Sequence, residues 1–426
     1  MNFALILIGF ILLIILWLFI DFTLGRKKHL SLVRKIETPI IHGNFDIFPH
    51  GKELFADYFD ELKKAEKHIH VLFYIVKADT FSHEFLHILK EKAAEGIEVR
   101  LLLDRIGSYR VTTQMVRSLR EAGVRFAFSN TLKLPFLFYS SQVRNHRKIS
   151  IIDGKIGYLG GFNIGKEYID ADQVLSPWRD YHLKITGESV TFLQSEFLID
   201  WREYGQEDLL GTSRYFPKLA KGRVRHQFVP TEANHLEASF LNLIQKATTS
   251  IMIGSPYFIP SKKLLQELIQ AARQGIEISI VVPYTADHML VQEASFSYLR
   301  RLLKEGVQVY QYKNGFYHAK TIVIDDKVCD IGTANFDKRS LFLNKEINCL
   351  IYDREFIGRL TGVLRRDILD SRPLTLDDLN TPNFLRSCKE KIAGAISFFY
   401  KMKGFTRESL IGLVFSKNSA TGVNEQ

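Results

Sequence analysis

Two short stretches of the sequence combine residue types that suit chemistry on a phosphate group. The recurring residues are His146, Lys148 and Asp153 in the first stretch and His318, Lys320 and Asp325 in the second. A neutral imidazole can attack phosphorus or protonate a leaving oxygen, while a neighbouring ammonium holds the phosphoryl oxygens. One such stretch would be a weak signal, because most His-x-Lys pairs are solvated surface residues. Two intact copies favour a function.

Each copy is followed by the same kind of glycine- and asparagine-containing segment. Gly160-Gly161-Phe162-Asn163 follows the first copy, and Gly332-Thr333-Ala334-Asn335 follows the second. The intervening residues are mostly β-branched, which predicts strands. On a strand, His and Lys two positions apart share a face, whereas Asp153 and Asp325 point the other way. We therefore interpret the two aspartates as structural members of the motif rather than as catalytic bases.

The elements around the motifs are repeated as well. Residues 93–103 are echoed by residues 271–282, and each segment predicts a helix that is closed by a glycine and followed by a buried strand. This is the βαβ rhythm of a parallel or mixed sheet. The sequence thus predicts an α/β protein with two repeated halves, at residues 40–212 and 222–375.

The N-terminus predicts a membrane anchor over residues 3–22. Residues 3–20 carry no charge, and as a helix they would span roughly 27 Å, enough for a bilayer core. A cleaved signal peptide is the alternative, but no Lys or Arg precedes the run and no small-residue cleavage site follows it. The basic residues after the run predict a cytoplasmic body; they are Arg26, Lys27, Lys28, Arg34 and Lys35. The sparse cysteines Cys329, Cys349 and Cys388 agree with a reducing compartment.

The paired motifs resemble the HKD signatures of the phospholipase D superfamily. The longer strings at residues 146–165 and 317–348 resemble bacterial cardiolipin synthases, especially the minor forms. The resemblance implies two α/β/α sandwich halves related by a pseudo-twofold axis, with one active site between them and neither metal nor cofactor. The major enzymes usually carry two N-terminal spans, whereas this chain shows one.

The resemblance also implies roles for single residues. His146 would be the nucleophile that forms a phosphatidyl-histidine, and His318 the general acid, although the likeness of the halves leaves the exchanged roles open. Phosphoryl oxygens would be bound by Lys148, Lys320, Asn163 and Asn335. Glu346 would orient the second histidine, and Asp180 is the candidate for the first. The alternative for both carboxylates is a surface salt bridge.

The implied reaction transfers a phosphatidyl group between two phosphatidylglycerol molecules and yields cardiolipin and glycerol. The expected partners are phosphatidylglycerol and an anionic membrane, without nucleic acid. The formal charge of +10 fits an anionic surface. Phosphodiester hydrolysis, a membrane-tethered nuclease and a non-enzymatic lipid-binding protein are the alternatives.

Two further segments leave their roles open. The apolar residues 132–139 have no counterpart before the second motif, and they predict either a loop in the lipid interface or a loop packed on the core. The segment 380–426 mixes basic and aromatic residues. It predicts an amphipathic membrane contact or a frayed basic tail.

Overall fold

The computed structural model describes residues 2–33, 38–233, 235–285, 287 and 291–380. Of the predicted features, Arg34, Lys35, Cys388 and the segment after residue 380 lie outside the described residues. The chain begins with helix α1 (Asn2–Leu32), whose residues 3–20 are mostly exposed. The helix is long and apolar enough to cross a membrane.

The first half alternates strands and helices. Its elements are β1 (Ile41–His50), α2 (Gly51–Lys63), β2 (His68–Phe73), α3 (Thr80–Ala94), β3 (Glu98–Asp104), α4 (Thr113–Glu121), β4 (Arg125–Ser129), α5 (Leu137–Gln142), β5 (Ile149–Ile152), β6 (Ile156–Gly160), β7 (Trp178–Thr186) and α6 (Val190–Gly205). Short 3₁₀ turns lie at Lys166–Ile169 and Ser213–Tyr215.

The second half repeats this plan. Its elements are β8 (Val224–Glu232), α7 (His235–Gln245), β9 (Ser250–Gly254), α8 (Lys262–Arg273), β10 (Glu277–Pro283), α9 (Val291–Leu303), β11 (Gln308–Tyr312), β12 (Phe316–Tyr317), β13 (Thr321–Ile324), β14 (Val328–Gly332), α10 (Lys338–Phe342), β15 (Lys345–Ile351), α11 (Arg354–Leu369), β16 (Ser371–Pro373) and α12 (Leu376–Asn380).

The strands form one continuous mixed sheet that shows the duplication directly. The order is β4-β3-β2-β5-β6-β7-β1 in the first half and β11-β10-β9-β13-β14-β15-β8 in the second, with β16 added beside β11. The two halves join where β1 pairs with β8, with Ile41 opposite His226. In each half the first three strands of this order are parallel and the remaining pairs are antiparallel.

The predicted repeat of helix, glycine and strand is present in both halves. Helices α3 and α8 end just before Gly96 and Gly275, whose φ angles are +89° and +86°. Glycine adopts this left-handed conformation without the steric cost that a Cβ would bring. Strands β3 and β10 follow directly, and most of their side chains are buried.

The apolar core lies in three layers. One large cluster lies on the side of α2 and α3 and consists of first-half residues together with Phe316, and a second belongs to the other half, on the side of α7 and α8. The third cluster lies under α6 and α11 and draws on both halves, including Leu183, Phe197, Phe228 and Ile347. Because this middle core is shared, the two halves are packed as one body.

Candidate active site

The His-x-Lys residues lie just before the strands on which the sequence placed them. Strand β5 begins at Ile149 and strand β13 at Thr321, so both motif histidines precede regular sheet. The prediction of a strand through the histidines was therefore wrong by a few residues. The reason is that each segment departs from the strands of its own half and pairs with a strand of the opposite half. The His146 N–H donates to the Lys345 carbonyl at 2.9 Å, and the His318 N–H donates to the Arg179 carbonyl at 2.7 Å.

Each histidine is paired with the carboxylate of the opposite half. His146 Nδ1 lies 2.9 Å from Glu346 Oε2, and His318 Nδ1 lies 2.5 Å from Asp180 Oδ2. The expected assignment of Glu346 to the second histidine and Asp180 to the first was wrong. The two carboxylates occupy equivalent positions in the repeat. Gly160 pairs with His182 and Gly332 pairs with Asn348, and Asp180 and Glu346 each lie two residues before that strand partner. Because each motif segment crosses to the opposite half, each histidine contacts the carboxylate of that half.

Glu346 is held by a dense set of donors. Its side chain is fully buried, and it accepts from Thr333 Oγ1 at 2.6 Å, Ser340 Oγ at 2.7 Å and Asn344 Nδ2 at 3.2 Å, besides the contact with His146. Burial alone would raise the pKa of Glu346, but His146 and the nearby donors hold that pKa below its usual range. A charged, fully bonded carboxylate fixes the direction of the imidazole that contacts it.

Asp180 has a different set of neighbours. Lys320 Nζ donates to Asp180 Oδ2 at 3.1 Å and lies 2.6 Å from His318 Nδ1. Burial opposes ionisation of Asp180, yet Lys320 and His318 keep its pKa below the ordinary value. Gly161 leaves the space that this carboxylate occupies, because a Cβ there would lie 2.1 Å from Asp180 Oδ1. The second half has Thr333 at the matching place, where its hydroxyl bonds Glu346.

The tautomer of both histidines follows from these contacts. An ionised carboxylate can only accept, so the proton of each neutral imidazole lies on Nδ1 and the lone pair on Nε2. The Lys320 ammonium beside His318 Nδ1 then directs its protons to Asp180 and to the His318 carbonyl. Burial lowers the pKa of His146, although Glu346 acts the other way. Burial together with Lys320 lowers the pKa of His318 to about 4. Both imidazoles are therefore neutral near pH 7, and each is only 7% exposed.

The two motif lysines are buried beside the histidines. Lys148 Nζ donates to the His146 carbonyl at 2.7 Å and lies 5.4 Å from the centre of the Tyr74 ring. Burial lowers the pKa of Lys148 to about 7, and it also lowers the pKa of Lys320. The charge of Lys320 also lowers the pKa of Lys148, so the lysines of the two halves lie within electrostatic reach of one another. Two buried cations near one another favour an anion between them.

The predicted phosphate-binding asparagines differ in their bonding. Asn163 accepts from the Ile75 N–H at 3.1 Å and donates to the Tyr168 hydroxyl at 3.2 Å. Asn335 Oδ1 is buried and has no partner among the described residues. The phosphate-binding role of Asn163 and Asn335 stays a prediction. Across the described ranges, no group of three metal-ligating side chains comes together.

The motif aspartates lie away from the histidines, as the strand parity predicted. Asp153 and Asp325 follow β5 and β13 at φ angles of +54° and +53°. Asp153 accepts the N–H groups of Glu66, Lys67 and His68, and Asp325 accepts those of Thr248, Thr249 and Ser250. Each aspartate thereby ties the turn after its motif strand to the start of the neighbouring strand. These contacts support the structural interpretation of both aspartates and give no support for a catalytic role.

Two buried aspartates that the sequence reading missed brace the crossed segments. Asp200 on α6 binds Lys345 Nζ at 3.2 Å, Asn145 Nδ2 at 2.9 Å and Arg147 Nη1 at 3.1 Å. Asp367 on α11 binds Arg179 Nε at 2.8 Å and accepts from the Tyr181 hydroxyl. Lys345 and Arg179 directly precede Glu346 and Asp180. The sequence repeat could have indicated them, because Asp200 lies 20 residues after Asp180 and Asp367 lies 21 residues after Glu346.

Known proteins similar to this chain place it in a family. The family described as "Cardiolipin synthase, PLD-like domain" matches residues 58–174 and 240–368. The minor cardiolipin synthase ClsB of Bacillus subtilis is 39% identical over 92% of this chain and 96% of its own length. The major cardiolipin synthase ClsA of the same organism is 38% identical over 83% of this chain and 74% of its own length.

A solved structure supports the fold separately. The phosphatidylserine synthase of Haemophilus influenzae covers 89% of this chain and 97% of its own chain with a TM-score of 0.67, at 15% sequence identity. That likeness speaks for the fold alone, and the predicted phospholipase D-like α/β fold is confirmed. The extent of the sequence matches shows that the chain belongs to the cardiolipin synthase family of phospholipase D-like proteins.

Proposed function

We propose that this protein joins two phosphatidylglycerol molecules into cardiolipin and releases glycerol. The observation that carries the proposal is the pair of neutral, carboxylate-oriented histidines converging with two buried lysines between the halves. The relatives named as cardiolipin synthases supply the substrate class. A phosphatidyltransferase of this family needs a nucleophile, a general acid and positive charge around the phosphate. The two histidines can supply the first two, and the two lysines the third.

The proposed first step forms a covalent intermediate. Nε2 of His146 attacks the phosphorus of phosphatidylglycerol, and the bond from phosphorus to the glycerol oxygen breaks. The bound phosphodiester anion favours protonation of His318 in the complex, and His318 gives this proton to that oxygen, so glycerol departs as a neutral alcohol. The ammonium groups of Lys148 and Lys320 bind the non-bridging oxygens as charge builds up on them.

The proposed second step reverses these roles. The free glycerol hydroxyl of a second phosphatidylglycerol loses its proton to His318 and attacks the phosphorus of the phosphatidyl-histidine. Breaking the bond from phosphorus to nitrogen frees His146 and leaves cardiolipin. The two histidines are only 7% exposed, which limits access of water and favours the lipid alcohol as acceptor. With the pairs so alike, the opposite assignment of nucleophile and acid is the alternative.

The membrane arrangement is part of the proposal. Helix α1 would cross the bilayer once, with Arg26, Lys27 and Lys28 on the cytoplasmic side together with the catalytic body. The body would then work on the lipid leaflet from which its own helix emerges.

Product analysis tests the function. We expect the purified full chain in phosphatidylglycerol vesicles to yield cardiolipin and glycerol in equal amounts, and His146→Ala to yield neither. Phosphatidic acid as the main product would mean that water is the acceptor. The proposal of cardiolipin synthesis would then be wrong.

A further inference from the structure

Helix α1 runs without a break from its apolar segment onto the catalytic body. Residues 3–20 are mostly exposed, but from Asp21 onward one face of the helix contacts the body. The contacting residues Asp21, Gly25 and His29 recur every four positions, which places them along one side of a helix. One continuous helix with side-chain contacts on the body, rather than a loop, therefore joins the apolar segment to the body.

The surface that receives this face is α5, the helix just before His146. Asp21 Oδ1 accepts the Tyr139 N–H at 2.7 Å. Residue Phe136 at the start of α5 has no side-chain acceptor, so α1 supplies the cap that α5 lacks. His29 Nδ1 lies 2.6 Å from the Tyr139 hydroxyl, and a Cβ on Gly25 would lie 2.7 Å from Tyr139 Cβ.

These contacts set the height of α5 relative to the bilayer. Asp21 is the first charged residue after the apolar run, and a charged side chain marks where a spanning helix leaves the hydrocarbon. Because Asp21 bonds α5 directly, α5 and the residues before it lie at the boundary between hydrocarbon and water. The chain continues from α5 through three residues to His146.

The residues before and at the start of α5 expose apolar side chains at that height. Leu132, Leu134 and Leu137 are exposed, Leu134 to 81%, and Lys133 lies among them. Phe138, in contrast, faces inward, with its ring centre 6.1 Å from that of Phe22. Neighbouring exposed leucines on a folded protein indicate a surface that is covered by something apolar. Here the surface continues that of a membrane-spanning helix, which points to the lipid.

We infer that Leu132, Leu134 and Leu137 form a second membrane contact, inserted into the leaflet from which α1 emerges. Together with α1 this contact holds the His146 side of the active site at the bilayer surface, where a phospholipid headgroup can enter without leaving the membrane. The inference rests on the proposed function only in taking a lipid as the substrate. Residues 132–139 were predicted either to lie in the lipid interface or to pack on the core. The first role applies to these leucines, and the second to Phe138 and Tyr139.

A nitroxide label measures the depth of these side chains. Leu134→Cys is labelled in the full chain carrying Cys388→Ser and is reconstituted into vesicles of phosphatidylglycerol and phosphatidylcholine. Leu32→Cys is the matched control. Leu32 is also an exposed leucine, 71% accessible, but it lies eleven residues beyond Asp21, roughly 16 Å further along the same helix.

The readout is collision with oxygen, which dissolves in lipid, compared with a water-soluble nickel chelate. We expect the ratio of oxygen to nickel accessibility to be several-fold higher at position 134 than at position 32. Equal ratios at the two positions would overturn the inference. A label at position 134 shielded from both reagents would also overturn it, because the side chain would then be covered by protein.

The depth measurement requires no turnover, so it is independent of the catalytic proposal. A labelled protein that shows membrane depth but makes no cardiolipin would contradict only the proposed function. A protein that makes cardiolipin with a water-exposed position 134 would contradict only this inference. The complementary change Leu132→Ser with Leu134→Ser should slow the reaction on vesicles several-fold and leave it unchanged on a short-chain, water-soluble phosphatidylglycerol.

Discussion

At the scale of single residues, the two halves of the site differ where their sequences depart from the repeat. Thr333 donates to Glu346, whereas Gly161 at the matching place gives Asp180 room to meet both His318 and Lys320. Glu346 thus accepts hydrogen bonds from two hydroxyls, an amide and an imidazole, whereas Asp180 lies beside an ammonium and an imidazole. This asymmetry gives the two histidines different electrostatic surroundings in an otherwise similar frame.

The first prediction concerns Gly161. Gly161→Ala places a methyl group on the Asp180 carboxylate and must displace it, so His318 loses its orientation. We expect kcat to fall about 10- to 100-fold, the usual cost of disturbing a group that orients a functional histidine, with KM nearly unchanged. Gly358→Ala is the control, because Gly358 lies on α11 with open space around it. Full activity of Gly161→Ala would show that Asp180 does not position His318.

The second prediction concerns the pH dependence that Lys148 causes. Burial lowers the pKa of Lys148 to about 7, so the free protein loses this positive charge as the pH rises through neutrality. We expect kcat/KM on short-chain phosphatidylglycerol to fall above pH 7. The fall in kcat should come at higher pH, since a bound phosphate favours the ammonium form.

Lys148→Arg separates this titration from others. Arginine keeps its charge at any accessible pH, so the alkaline fall in kcat/KM should disappear even though the altered geometry lowers the rate. An alkaline fall that persists unchanged in Lys148→Arg would assign it to another group, such as Lys320. On the acid side, the lowered pKa of His146 should keep it neutral to a more acidic pH than an ordinary imidazole.

At the scale of elements, α6 and α11 act as braces across the two halves. Asp200 on α6 binds Lys345 of the second half, and Asp367 on α11 binds Arg179 of the first. Each helix thereby pins the strand that carries the other half's orienting carboxylate. Arg147 adds to this by bonding both Asp200 and the Glu346 carbonyl.

The third prediction tests this bracing. Asp367→Asn leaves the Arg179 guanidinium buried without its anion, a loss worth about 3–5 kcal/mol for a buried ion pair. We expect a clearly lower melting temperature and a reduced kcat, because the strand with Asp180 is less firmly held. Glu305→Gln breaks the surface pair with Arg273 and should leave both unchanged. Equal effects of the two substitutions would argue against a special role for Asp367.

The sequence predicted these elements better than it predicted their contacts. The duplicated helix-glycine-strand segments and the two motifs are local patterns, and the predicted order of helix and strand around Gly96 and Gly275 is confirmed. The partners of His146 and His318 were assigned wrongly because a sequence repeat shows which residues each half contains. It does not show whether a residue contacts its own half or the opposite one. The crossing depends on backbone pairing with Lys345 and Arg179, which leaves no mark in either motif.

At the scale of the whole molecule, the shared middle core and the continuous sheet make the two halves one catalytic body. Helix α1 is docked onto that body beside the motif of the first half through Tyr139 and Glu232. The composition predicted a span and a basic flank, but the contact between α1 and α5 brings together residues more than a hundred positions apart. No local pattern could have predicted it.

The fourth prediction concerns the side of the membrane on which the body lies. With Cys388→Ser as background, Cys329 and Cys349 are buried and should not react with a thiol reagent. Val174→Cys, at a position that is 72% exposed, should be labelled by a membrane-impermeant maleimide only after cells are permeabilised. Asn2→Cys should be labelled in intact cells. Labelling of position 174 from outside would overturn the cytoplasmic placement.

The central claim is that a histidine of one half, oriented by the other half, carries the phosphatidyl group. The direct measurement is mass spectrometry of the His318→Ala protein after incubation with a phosphatidyl donor that has a good leaving group and needs no acid. We expect a phosphatidyl adduct on His146 that persists in His318→Ala and is absent from His146→Ala. An adduct on His318 in the reciprocal His146→Ala protein, and none on His146, would exchange the two roles. Cardiolipin formation without an adduct on either histidine would contradict the account.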